Sequence, residues 1–118
     1  MDCTVLIVDD HPSFRASARV LLESEGFNVI GEAVDGASAV EETHRLKPQL
    51  VLLDVQLPDI DGFDVCAKIV AHVEHPLVIM TSSRDSSDFG PLVTTSGACG
   101  FVPKAELSGE RVQELLTP

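Results

Sequence analysis

The chain predicts an α/β fold, a doubly wound parallel sheet of five strands with helices on both faces. Three observations lead there. Short apolar runs alternate five times with stretches of helical period. One of these runs, Leu50-Val51-Leu52-Leu53, is apolar without a break, as a strand covered on both faces must be. It then ends in Asp54, at the carboxyl edge where open α/β sheets hold their ligands.

The elements follow in order. Cys3-Thr4-Val5-Leu6-Ile7-Val8 is rich in β-branched residues and reads as a buried strand ending in Asp9-Asp10. Pro12 suits the first turn of a helix, whose apolar face is Phe14, Ala18, Leu21 and Leu22. Gly26 stops it. Asn28 to Val34 is a partly polar strand, suited to an edge. Asp35-Gly36 turns into a helix over Ala37 to Leu46, with Ala39, Val40 and Leu46 inward, and Lys47-Pro48 ends it. After the Leu50 run, Gly62 to Val73 is helical by period, burying Phe63, Val65, Cys66 and Ile69. Pro76 introduces a fourth strand, Leu77 to Thr81. A polar stretch over 82–88 precedes Gly90-Pro91, which breaks any helix begun before it, and a short helix is expected from Pro91 to Ser96. Cys99 to Pro103 is a short fifth strand, placed at an edge because Pro103 lacks a ladder donor. Ser108 caps a last helix over Glu110 to Leu116. Thr117-Pro118 reads either as a natural end or as the start of a linker.

With 118 residues, 44% of them hydrophobic, the chain suits one domain, 1–118, around one core. Aromatics are 4%, with no Trp or Tyr, so that core is aliphatic with a few Phe. Nineteen Asp and Glu against 8 Lys and Arg give a net charge of −11. Such a surface repels phosphates, so no nucleic acid is expected to bind this domain, and a cation site fits better. Cys3, Cys66 and Cys99 form no metal-binding pair and leave one over, which points to reduced thiols in a cytoplasmic protein, each a small core residue. No apolar run is long enough to span a membrane, and the start lacks the regions of a signal peptide.

The chemistry-bearing residues sit at strand ends. The first strand gives Asp9 and Asp10, the third Asp54, the fourth Thr81 with Ser82 beside it, and the fifth Lys104. In a parallel sheet these ends share one edge. Singly, each has a plain structural role: Asp9-Asp10 capping the next helix, Asp54 or Thr81 closing a turn, Lys104 solvated. Together they form a set. Carboxylates that repel one another are relieved by a divalent cation, and oxygen ligands with no His or Cys placed to help suit Mg²⁺. A phosphoryl group in transfer carries charge on three oxygens, for which Mg²⁺, Lys104 and Thr81 are natural partners. Asp54 would be the nucleophile, giving an acyl phosphate.

Asp9-Asp10, Asp54 with Leu57-Pro58-Asp59-Ile60-Asp61-Gly62, Thr81 and Lys104 together resemble the receiver domain of two-component response regulators, over essentially the whole chain. The resemblance implies a flavodoxin-like strand order, 2-1-3-4-5. It also implies a sensor histidine kinase as phosphoryl donor, with Asp54 as phosphoacceptor. Asp10, Asp54 and the backbone carbonyl of Gln56 would bind Mg²⁺ directly, and Asp9 through water. Thr81 and Phe101 would be the switch pair, with Phe101 passing from exposed to buried, and Lys104 would bind the phosphate. Val8-Asp9-Asp10-His11-Pro12 and Gly31-Glu32-Ala33 are similar to the subgroup, with LuxR/NarL-type outputs, whose receivers often precede a DNA-binding domain. That implies an output in transcription, from a domain outside this chain.

Three departures stand out. Ala105 follows Lys104 where many relatives have a cis proline, Gly90-Pro91 interrupts the fourth helix, and the last helix is short. Any phosphorylation-dependent homodimer is therefore expected to be weak. Two other functions compete. An aspartate-nucleophile phosphatase of small molecules would need an Asp two residues after Asp9, where His11 stands, and a cap insertion. A receiver used only as a binding module would not need the full phosphorylation set.

Overall fold

A computed structural model of the protein describes residues 3–83 and 89–116. Residues 84–88, most of the predicted polar stretch, and Thr117-Pro118 lie outside these. The strands are β1 (Thr4–Val8), β2 (Asn28–Ala33), β3 (Leu50–Asp54), β4 (Leu77–Ser82) and β5 (Gly100–Pro103). The helices are α1 (Pro12–Ser24), α2 (Gly36–Leu46), α3 (Gly62–Val70), α4 (Leu92–Thr95) and α5 (Gly109–Leu116).

The sheet has the order β2-β1-β3-β4-β5, and all four pairings are parallel. The two strands judged suited to edges, β2 and β5, are the edges. Pro103 is the last residue of β5, opposite Ser82, so its missing donor ends the ladder rather than breaking it.

Alternation along each strand builds two core layers. Val5, Ile7, Leu50, Leu52, Ile79 and Val102 face one way, onto Ala18 and Leu22 of α1 and Val112 of α5. Leu6, Val8, Val51, Leu53, Val78 and Met80 face the other, onto Ala39 of α2 and Phe63, Val65, Cys66 and Ile69 of α3. All five residues of β3 are buried, which explains its unbroken apolar run.

Local chemistry sets the helix ends. Asp35 and Ser38 form a reciprocal capping box at the start of α2, and Lys47 closes that helix in the left-handed region at φ 49. The Ser108 hydroxyl accepts from Arg111 N–H at 3.1 Å, as a cap for α5 should.

Three expectations are corrected. Helix α3 ends at Val70, three residues short of the predicted Val73. Val73 is fully exposed and so has no core to extend toward, and Pro76 holds the residue before it extended for entry into β4. Of the three cysteines only Cys66 is buried; Cys99 is exposed and Cys3 half-buried. Phe101 is not exposed. It is half-buried, with its ring 5.4 Å from Phe89, whose ring in turn meets Phe63 at 5.6 Å. An apolar neighbour on the α3 side already covers it.

Candidate functional site

Asp9 follows β1 immediately, Asp54 ends β3, Thr81 lies one residue before the end of β4, and Lys104 follows β5. Asp9 continues the row of Val5 and Ile7, Asp54 that of Leu50 and Leu52, Thr81 that of Ile79, and Lys104 that of Val102. Four separate strands thus aim these residues toward one side of the sheet's carboxyl edge. Ser82 is buried, but alternation sends it to the opposite face from Thr81. Phe101, opposite Met80 in the register, also belongs to that second face.

Asp9 is fully buried, and its Oδ2 lies 2.6 Å from Lys104 Nζ. That oxygen has no well-directed hydrogen bond, so the contact is an ion pair made off the bonding direction. Lys104 Nζ also donates to Asp54 Oδ2 at 3.4 Å and stands 4.6 Å over the Phe14 ring. Gln56 N–H donates to Asp54 Oδ1 at 3.2 Å. Thr81 is fully buried in register with Asp54, and its hydroxyl has no hydrogen-bond partner. A buried unpaired hydroxyl costs roughly 1–3 kcal/mol, so it marks a group fitted to something else.

Burial and the neighbouring Asp9 carboxylate push Asp54 up to about 6, against the smaller downward pull of Lys104 and Gln56 N–H. A raised folded-state value means the native chain holds this proton more tightly than the unfolded chain does. The stability from that proton is present at low pH and is lost as pH rises from about 4, the unfolded value, to about 6. Asp54→Asn removes the cost of the buried charge and leaves Lys104 paired with Asp9. In metal-free buffer at pH 7 the variant should therefore be more stable than wild type. The gain should fade toward pH 4. Denaturant melts at both pH values check this, and an equal gain at both would refute it.

Sequence reasoning missed three contributors. His11 joins Asp9, Asp10 and Asp54 in one group whose ligand atoms all lie within 4.8 Å of one another. Its ring Nδ1 is 3.0 Å from Asp9 Oδ1 and 3.2 Å from Asp10 Oδ1. The expectation that no His stands near the carboxylates is thus corrected. The reason is local: His11 is the N-cap of α1, and its N–H donates to Asp9 Oδ1 at 2.8 Å, which folds the ring back. Arg15 Nη1 holds the Asp9 carbonyl at 2.7 Å while its Nε binds Glu32 at 2.9 Å, fixing the end of β1. Asp59 accepts from Gly36 N–H at 2.7 Å and Ala37 N–H at 3.0 Å, tying the loop after β3 to the start of α2. An Asp in a turn gives no sign of a partner more than twenty residues away.

The carboxylates of the set fit a hard divalent cation, while the His11 ring nitrogen beside them is already engaged with Asp9 and Asp10. Three carboxylates converge, and Lys104 Nζ already occupies a cation's position between Asp9 and Asp54.

Residues 5–116 match the response regulator receiver domain. The chain belongs to that family. It is 40% identical over 102 residues to BvgA of Bordetella pertussis, described as a transcription regulator of virulence factors, covering 86% of this chain and 49% of BvgA. It is 33% identical over 101 residues to the DNA-binding transcriptional activator EvgA of Escherichia coli, covering 86% of this chain and 50% of EvgA. The chain spans about half the length of these relatives. Among solved structures it is similar to the signal receiver domain of NarL from Mycobacterium tuberculosis. There the TM-score is 0.87, with 30% identity over 99% of this chain and 98% of that one. This protein is thus a receiver domain with the flavodoxin-like order 2-1-3-4-5, a module of two-component signalling. No helix among the described residues is long and apolar enough to cross a membrane.

Proposed function

We propose that this receiver, residues 1–118 as a single domain, takes a phosphoryl group onto Asp54 from a sensor histidine kinase in the cytoplasm. It then shifts conformation to control a DNA-binding output domain beyond this chain. The observation that carries the reading is the buried, unpartnered Thr81 hydroxyl, in register with an Asp54 whose carboxylate contacts Lys104.

A carboxylate oxygen of Asp54 attacks phosphorus, the bond to the donor nitrogen breaks, and an acyl phosphate forms. Mg²⁺, held by Asp10, Asp54 and the Gln56 carbonyl, with Asp9 through water, would neutralise charge on the transferred oxygens. Lys104 Nζ needs only a short move from its contact with Asp54 to reach a phosphoryl oxygen. Gln56 N–H holds Asp54 Oδ1, which fixes the carboxylate plane. The same groups later steady the attack of water, so the domain assists its own dephosphorylation. No feature favours a small-molecule phosphatase: His11 stands where that class needs an Asp.

The test is direct. With a small phosphodonor and Mg²⁺, intact mass should rise by one phosphoryl group, and a chelator should stop it. No gain with Mg²⁺ present would overturn the reading.

Charged phosphoryl oxygens are strong acceptors and should draw the Thr81 hydroxyl inward. Thr81 and Phe101 face opposite sides, so the movement must pass through the β4–β5 pairing, where Met80 is opposite Phe101. Because Phe101 starts half-buried against Phe89, its response should be a repacking within the Phe63-Phe89-Phe101 row. A homodimer formed through the short α4 would be weak. Thr81→Ala should still be phosphorylated, yet its Phe101 ring signals should move less on beryllofluoride addition. An undiminished Phe101 response in that variant would break the coupling.

A further inference from the structure

The edge of the sheet opposite Asp54 carries a feature that phosphoryl transfer does not use. Helices α2 and α3 both end there, and between them lies an open cavity of about 560 Å³. His44, near the end of α2, and His72, just past the end of α3, stand on its rim with rings 4.4 Å apart and nearly perpendicular. Glu74 and His75 line the same cavity. Its floor includes Val40 and Ile69.

We propose that this cavity binds a borderline divalent transition cation of the Zn²⁺ class, with His44 and His72 as its paired nitrogen ligands. Imidazole is the donor such ions favour, whereas the oxygen-rich Asp54 site suits a harder ion. The two rings come from different helices, so one ion would join α2 to α3. Both side chains are exposed, which leaves room for the rotation that aims a nitrogen of each at one ion, about 2.0–2.1 Å away. Helix C-termini carry partial negative charge, and two of them meet at this rim. The net charge of −11 adds to the attraction, while Lys47 is the only Lys or Arg among the lining residues.

His75 fits a supporting ligand. Its Nδ1 lies 2.8 Å from the Pro76 carbonyl, which can only accept, so Nδ1 carries the proton and Nε2 of the neutral ring is left free. A metal-binding His is commonly oriented in this way. Among the described residues, the acidic group around Asp9 is the only set of three or more ligands already gathered within 4.8 Å. The His44–His72 pair is therefore a two-ligand nucleus, to be completed by water, Glu74 or His75 as the ion arrives.

The experiment titrates the full chain with Zn²⁺ in excess Mg²⁺, added as a competitor at the Asp54 site, and follows the assigned ring signals of all four histidines. His44 and His72 should shift together with one ion bound. His44→Gln and His72→Gln, both at exposed positions, should fold normally. Each should weaken binding by roughly 10–100-fold or more, the loss seen even for an outer-shell partner. The remaining ring of the pair should then respond only at correspondingly higher Zn²⁺. Calorimetry supplies the affinity. A response confined to His11 would place the ion at the Asp9 group and overturn the proposal. So would unchanged affinity in either variant, or no shift at His44 and His72. Each of these is read without phosphorylation, so failure here leaves the Asp54 reading standing.

Discussion

Asp54→Asn is expected to take up no phosphoryl group under conditions that load the wild type fully. The substitution keeps the shape and the Gln56 N–H contact but replaces the nucleophilic oxygen with an amide. Neither neighbouring carboxylate is placed to substitute. Asp9 is fully buried and ion-paired to Lys104 at 2.6 Å, and Asp10 is exposed at the start of the loop before α1. Intact mass after treatment with phosphodonor and Mg²⁺ decides the matter. One added phosphoryl group on the variant would show that Asp54 is not the acceptor. The variant is also predicted to be the more stable protein at pH 7, so loss of acceptance could not be blamed on unfolding.

Gly62→Ala should cost about 3 kcal/mol, with a Tm fall of about 10 °C or more. The first residue of α3 lies against the backbone at the end of β3, and its N–H donates to the Val55 carbonyl at 2.8 Å. A Cβ there would clash with the Asp54 carbonyl oxygen and lie 2.7 Å from Val55 Cα and 2.8 Å from its oxygen. These are backbone atoms, so no rotamer change relieves the contact. Ala is the better helix former by roughly 1 kcal/mol, yet that gain is smaller than the strain. Because the clash bears on Asp54 itself, phosphorylation should slow even in the folded fraction. A variant melting within about 2 °C of wild type would mean that α3 slides away at little cost.

The sheet, its edges and the four strand-end residues were legible because they rest on local signals. An unbroken apolar run reads as a covered strand, and period two carries its parity to the next polar residue. What escaped depends on contacts between distant segments or on exposure. Val73 is apolar in letter and fully exposed in fact, so periodicity extended α3 too far. Cys99 misled for the same reason. His11 was set aside by ligand type, although its N-cap geometry folds it into the acidic group. Phe101 reads as exposed from the switch pairing alone, and Phe89, its cover, sits beyond a polar stretch that gives no hint of a ring packing back.

The bond from Asp59 to the first N–H groups of α2 makes the two walls of the acidic cleft unequal. On one wall, loop and helix are clasped at 2.7 and 3.0 Å, and Asp61 further pins the loop by accepting from Phe63 N–H at 2.7 Å. On the other wall, α4 has four residues and buries none of them. A stiff jaw thus faces a compliant one. On the proposed reading, an arriving phosphoryl group would deform the softer side and leave the loop after β3 in place. The domain would then act as a one-way lever, its softer side moving repeatedly while the acidic group keeps its alignment.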